Sequence, residues 1–244
     1  MFMNCNECVY SEECKKPNAD KPACLMLARY NRVYRGAKIP KLYQNRTIDD
    51  ISLDNLSRNG ASLVQKYSTI TVRAVGMCKS LYFYSEPTGG NPLGTGTGKT
   101  TIACALMNKY IRDYVWETVK DGQSIDKLPA YFLNCSTLQN RYNKMFRVDS
   151  ASTEYYSMKQ YAMDCNLLIL DDIAIRGCSE GFMCELYDII EHRVSNNKTT
   201  FYTSNVDLEQ LSVLLDQRIA SRIGGSPETC ALVIVSGEDY RVRG

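Results

Sequence analysis

From about residue 60 onward, short apolar runs alternate with longer amphipathic ones. Leu81-Tyr82-Phe83-Tyr84, Tyr131-Phe132-Leu133, Leu167-Leu168-Ile169-Leu170, Thr199–Thr203 and Ala231–Val235 have the length and composition of strands. The third run is apolar at every position, which predicts a strand buried on both faces. Thr101–Val119 carries Ile102, Leu106, Tyr110 and Val115 at helical spacing. Phe182–Val194 predicts a helix, and Leu208–Ile223 is mostly helical. Strands alternating with helices predict an α/β fold, a parallel sheet flanked by helices. The first 48 residues do not share this pattern.

Length and charge narrow the reading further. The 244 residues suit one large domain, or a medium domain with a small appendage. A net charge of +2 excludes a chain that grips nucleic acid by overall charge, so any such contact needs a local patch. The start, Met1-Phe2-Met3-Asn4-Cys5, has no basic region followed by an apolar stretch, and no apolar run is long enough to span a membrane. A cytoplasmic protein with no membrane partner is expected. Its eleven cysteines are then thiols or metal ligands, and their odd number argues against a closed disulfide framework. Four of them, Cys5, Cys8, Cys14 and Cys24, fall in the first 24 residues; the rest read as small core residues. Segment 1–48 is also basic, with nine Lys/Arg against four Asp/Glu. Thr47–Asn59 reads as a polar connection. The expected division is a small cysteine-rich domain, 1–48, and a larger one, 49–244.

Gly94-Thr95-Gly96-Thr97-Gly98-Lys99-Thr100-Thr101 follows a predicted strand and opens a predicted helix. Such a loop turns backbone N–H groups toward phosphate oxygens, and the helix N-terminus adds partial positive charge. Lys99 reaches the β- and γ-phosphates of ATP, and the Thr100 hydroxyl holds Mg²⁺. Leu93 stands where the strict pattern has glycine, and Glu86–Pro92 enlarges the loop.

Downstream, the apolar run Leu167–Leu170 ends in Asp171-Asp172. A buried strand delivering carboxylates at its C-terminal edge is a Walker B arrangement, with Asp171 on Mg²⁺ and Asp172 on the attacking water. Thr203-Ser204-Asn205 follows the next strand, where Asn205 suits a sensor of the γ-phosphate or of that water. Arg218 and Arg222 lie four apart on one helix face. Of the two, Arg222 is the better candidate for an arginine finger into a neighbouring subunit's site.

In this order, these motifs resemble the bacterial and phage helicase loaders of the DnaC/DnaI type, which are AAA+ P-loop ATPases. The resemblance covers residues 37–244. It begins at Ala37-Lys38-Ile39-Pro40-Lys41-Leu42-Tyr43, similar to the Ile-Pro-x-x-Tyr segment before that family's ATPase domain, and closes at Gly237-Glu238-Asp239-Tyr240-Arg241, with Asp239 where the family has Ser. It implies an ATPase without a large C-terminal lid, and with Arg241 as a sensor-2-like residue. It also implies self-association into a ring or spiral, and delivery of a DnaB-type hexameric helicase onto single-stranded DNA. Transposition helper ATPases of the IstB type, which assemble on duplex DNA, share nearly all of these motifs. A third reading is a zinc-dependent adaptor in which nucleotide is structural.

Two further features bear on partners. Cys5-x2-Cys8-x5-Cys14-x9-Cys24 offers four thiolates suited to structural Zn²⁺, with an iron–sulfur cluster as the alternative ligand and unliganded thiols as the plain reading. A head this small would draw folding energy from the metal. Arg29, Arg32 and Arg35 recur every three residues, as a face for a partner or for solvent. Arg141, Lys144, Arg147, Tyr155, Tyr156 and Lys159 mix cations and rings as a single-strand path would, or as an exposed helix pair would.

Overall fold

The computed structural model describes residues 8–11, 14, 24–174, 177–225 and 228–239. Five strands form one sheet: β1 (Ser80–Tyr84), β2 (Ala130–Asn134), β3 (Leu167–Asp171), β4 (Thr199–Thr203) and β5 (Cys230–Ile234). Their order is β2-β3-β4-β1-β5, and every pairing is parallel. All five runs read as strands in the sequence are present. β3 and β4 are buried at every position, as strands covered on both faces must be.

Alternate strand residues feed two cores, because successive side chains leave a strand on opposite faces. Leu167 and Ile169 join a core with Leu81, Phe83 and Phe201. Helices α1 (Leu25–Gly36), α2 (Arg58–Thr69), α3 (Thr71–Gly76) and α4 (Lys99–Lys120) cover that face. Leu168 and Leu170 join the other core with Tyr82 and Tyr202. There the cover is α5 (Cys135–Met145), α6 (Asp149–Asp164), α7 (Glu180–Ser195), α8 (Leu208–Leu214) and α9 (Gln217–Gly224).

The segment Leu208–Ile223, read as mostly helical, is made of two helices. Leu215 leaves helical geometry, and Asp216 restarts the chain by accepting the Arg218 N–H at 2.7 Å. Four cysteines, Cys104, Cys135, Cys165 and Cys230, are core residues as expected. Burial pushes the Cys230 thiol up to about 12, so it stays protonated. Cys78 and Cys178 are half-buried and Cys184 is exposed, so these three depart from that expectation.

One cation sits inside the second layer. Arg193 is 0% exposed. Its guanidinium donates to Thr200 Oγ1 at 2.8 Å, Ala162 O at 2.6 Å, Cys165 O at 2.9 Å and Asn166 O at 3.3 Å, and also to Thr199 O. It joins α7 to the α6–β3 turn and to β4. Arg193→Ala would strand these carbonyls and is expected to cost about 3–5 kcal/mol. Urea denaturation measures this, and a loss under about 1 kcal/mol would contradict the assignment.

Candidate nucleotide site

The C-terminal ends of β2, β3 and β4 open into a cleft of about 850 Å³. This is the end of a parallel sheet where ligands bind. Residues 95–102 line one side. Asn134, Asp171, Asp172, Thr203, Ser204 and Asn205 also line the cleft, and residues between Leu42 and Asn55 complete the lining.

The loop between β1 and α4 is held by a residue the motif does not contain. Asn91 is buried. It donates to Thr95 O at 2.7 Å and Gly237 O at 3.1 Å, and accepts from the Thr95 N–H at 3.2 Å. Thr88 and Asn91 exchange backbone hydrogen bonds, so the enlargement Glu86–Pro92 contains a small hairpin that carries this hub. Leu93 fits because its side chain is 70% exposed and its backbone is not left-handed. The left-handed positions fall on glycines instead. Gly94 has φ 58° with Ser85 beneath it, where a Cβ would lie 2.7 Å from the Ser85 Cβ. Gly96 has φ 63°, and a Cβ there would run into the Asp239 carboxylate, which accepts from Thr95 Oγ1 at 3.0 Å.

Lys99 is only 7% exposed and folds back into this loop. Its ammonium donates to Ser85 Oγ at 2.6 Å, Gly94 O at 2.8 Å and Thr97 Oγ1 at 3.3 Å. Thr100 donates to Asp171 Oδ1 at 2.7 Å, which brings the two expected Mg²⁺ ligands together. Thr203 donates to the same oxygen at 2.8 Å, and Asn134 Nδ2 to Asp171 Oδ2 at 3.1 Å. The carboxylate is therefore aimed by three donors from three elements. Asp172 differs: it is exposed, and its backbone is left-handed at φ 56°, a conformation Asp tolerates. Its N–H is fixed on Thr203 Oγ1 at 2.9 Å. Asn55 donates to Thr97 O at 2.5 Å, and its buried Oδ1 has no hydrogen-bond partner.

The family model for IstB-like ATP binding proteins matches residues 29–244. The chain belongs to that family. Its fold is that of AAA+ P-loop ATPases. The crystal structure of DnaI superposes with a TM-score of 0.57 at 18% identity, covering 83% of this chain and 94% of that one. The DnaC helicase loader gives 0.55 at 21% identity, covering 80% and 99%. DnaA from Aquifex aeolicus with AMPPCP bound gives 0.53 at 18% identity, covering 81% and 51%. An Escherichia coli (strain K12) protein named "Uncharacterized protein YdaV" is 23% identical over 206 residues, covering 82% of this chain and 73% of that protein.

Other expected residues of this IstB-like chain lie away from the cleft lining or outside the described residues. Arg218 and Arg222 do not line the cleft. Arg222 Nε stands 2.5 Å from Glu191 Oε2, and its guanidinium also meets the Tyr187 hydroxyl. Arg218 pairs with Asp216 at 3.0 Å and lies over the Tyr187 ring. Both arginines are thus laid along α7. Arg241 and Cys5 lie outside the described residues. Cys8 and Cys14 are half-buried and Cys24 is exposed. Among the described residues no group of three or more His, Cys, Asp or Glu is placed to hold a metal.

The two basic stretches also resolve. Arg29 donates to Gln123 O at 2.7 Å and Arg32 to Ile125 O, so these arginines fasten α1 to the loop after α4. In the single-strand path, Tyr155 is buried with its hydroxyl on Glu185 at 2.6 Å. Lys159 is paired with Glu185 and Asp188, and Arg141 with Glu154. Lys144, Arg147 and Tyr156 are exposed there, beside an exposed Phe146. Among the described residues no helix is long and apolar enough to cross a membrane.

Proposed function

We propose that this chain is an ATP-hydrolysing loader that delivers a hexameric DnaB-type helicase onto single-stranded DNA. The observation that carries the ATPase reading is the meeting of Lys99, Thr100 and Asp171 at one mouth of the sheet. The loop's N–H groups and the start of α4 take the phosphates. Lys99 exchanges Ser85 Oγ and Gly94 O for phosphate oxygens. Thr100 and Asp171 are hard oxygen donors 2.7 Å apart, a pair that fits Mg²⁺, and the metal when bound neutralises charge on the phosphates. Asp172 and Asn205 face the cleft, where they orient the attacking water and read the γ-phosphate. Asp172 is shorter than glutamate, so turnover is slow and governed by partners. Gly94–Thr101 bind phosphate, and Arg222 of a neighbour in a ring or spiral completes the site.

Support for the loader role comes from the likeness to DnaI and DnaC, which extends over nearly the whole length of those chains. Within segment 1–48, the part before α1, with Cys5, Cys8, Cys14 and Cys24 on zinc, serves for helicase docking. Residues 49–244 form the ATPase together with α1 and the cleft-lining residues Leu42, Tyr43 and Arg46, and Lys144, Arg147 and Tyr156 contact the single strand. ATP binding favours assembly on the helicase, and hydrolysis favours release. Family membership itself favours a second reading, a transposition helper that assembles on duplex DNA. Gel filtration with ATP, a DnaB-type helicase and each form of DNA separates them. Co-elution with helicase, and turnover altered by single strands, is expected. Filaments on duplex DNA with no helicase bound would favour the transposition role. Nucleotide bound without turnover would leave an adaptor.

A further inference from the structure

We propose that Asn108 and Tyr34 are positioning residues that hold the nucleoside-binding wall of the cleft. The inference rests on the ATP reading above and adds to it the part of the chain that receives base and ribose. The phosphate loop accounts for one side of the cleft. A separate part of the lining, with Tyr43, Arg46, Asp50 and Ile51, carries no phosphate-binding motif and is left for the nucleoside.

That wall has little secondary structure to hold it. A single 3₁₀ turn, Lys41–Tyr43, opens it, and Asn45 is left-handed at φ 59°. Side chains fasten it instead. Asn108 of α4 donates from Nδ2 to Tyr43 O at 3.0 Å and to Arg46 O at 2.8 Å. Its Oδ1 accepts from the Tyr34 hydroxyl at 3.1 Å, and that hydroxyl accepts from the Asn45 N–H at 2.8 Å. Two carbonyls and one hydroxyl donor fix the orientation of the amide, since a flipped amide would set oxygen against both carbonyls. Burial pushes the Tyr34 hydroxyl pKa up, so it remains a donor at neutral pH. Asn108 is buried, and it stands on the helix whose first turn receives the phosphates. The clamp therefore sets the distance between wall and phosphate loop, and through Tyr34 it ties that distance to α1.

A loosened wall weakens whatever contacts the nucleoside and leaves the phosphate contacts alone. Calorimetric titration of the full chain with Mg·ATP and with inorganic tripolyphosphate tells these apart. Asn108→Ala removes two hydrogen bonds to the wall, and its affinity for ATP is expected to fall about tenfold or more. Tyr34→Phe, which removes one hydroxyl, is expected to lose about three- to tenfold. Tripolyphosphate affinity is expected to stay within about twofold of the unaltered protein in both, since no phosphate contact is touched. ATP affinity unchanged in both variants overturns the inference, and so does an equal loss for the two ligands, which would mark general loosening of the fold. Tripolyphosphate bound as tightly as ATP by the unaltered protein would show that no nucleoside wall exists. No ATP binding at all by that protein would remove the ATP reading, and the inference with it.

Discussion

Lys99→Ala is expected to lower ATP turnover by about 10²–10³-fold, the usual cost of removing one charged donor from a phosphoryl-transfer site. The reason lies in where the ammonium sits. It is enclosed by Ser85, Gly94 and Thr97, all in the loop between β1 and α4. These are neutral acceptors, and phosphate oxygens hold an ammonium more strongly than hydroxyls or carbonyls do. The lysine is therefore stored beside the place where it acts. Lys99→Arg is not expected to restore activity. The guanidinium is larger and planar, and Ser85 and Thr97, themselves hydrogen-bonded at 2.8 Å, close the space around it. Phosphate release and calorimetric ATP binding measure both variants. Turnover within tenfold of the unaltered protein in Lys99→Ala would remove the loop from the mechanism.

The residues legible in the sequence share one property: their roles are written over a few consecutive positions. Gly98-Lys99-Thr100 opens α4, and Asp171 closes β3, where the run of four apolar residues before it already demanded a buried strand. The residues that went unseen act across long separations. Asn134 reaches Asp171 because β2 and β3 are neighbours in register, with Asn134 opposite Asp171. Ser85 became visible only once Lys99 folded back onto it. Asn91 sits in the enlarged loop that the sequence did mark as unusual, but its tie to Gly237 spans most of the domain. The same limit explains the misplaced emphasis. Arg29 and Arg32 recur at helical spacing, which is what a free basic face looks like; the carbonyls of Gln123 and Ile125 that they cap belong to a distant loop. Tyr155 and Tyr156 are indistinguishable by type, and only the packing of α6 on α7 decides that one is buried and the other exposed. The break in Leu208–Ile223 had a local signal, Asp216 two residues before Arg218, which the strong apolar period on either side concealed.

Arg222→Ala is expected to leave ATP binding by the isolated chain unchanged, and to lower turnover of the assembled protein by about 10³–10⁵-fold, the range for a finger supplied in trans. Geometry separates the two effects. The arginine is not part of the cleft lining of its own chain, where Lys99 and Asp171 are. It is held on α7 by Glu191 and Tyr187, in an exposed position from which a neighbour's γ-phosphate can compete for it. An ion pair made by an exposed guanidinium contributes little to stability, so a phosphate can displace Glu191 from it. Arg218, paired with Asp216 and laid on Tyr187, is expected to matter less, and Arg218→Ala serves as the control. Complementation gives the sharper readout. A chain lacking Arg222 keeps an intact phosphate loop, and a chain lacking Lys99 keeps an intact arginine. Mixing the two inactive variants should restore part of the turnover, because some interfaces then pair a good loop with a good finger. If the mixture stays as inactive as its parts while the chains still assemble, Arg222 does not act between subunits, and the loss in the single variant must come from the packing of α9 on α7.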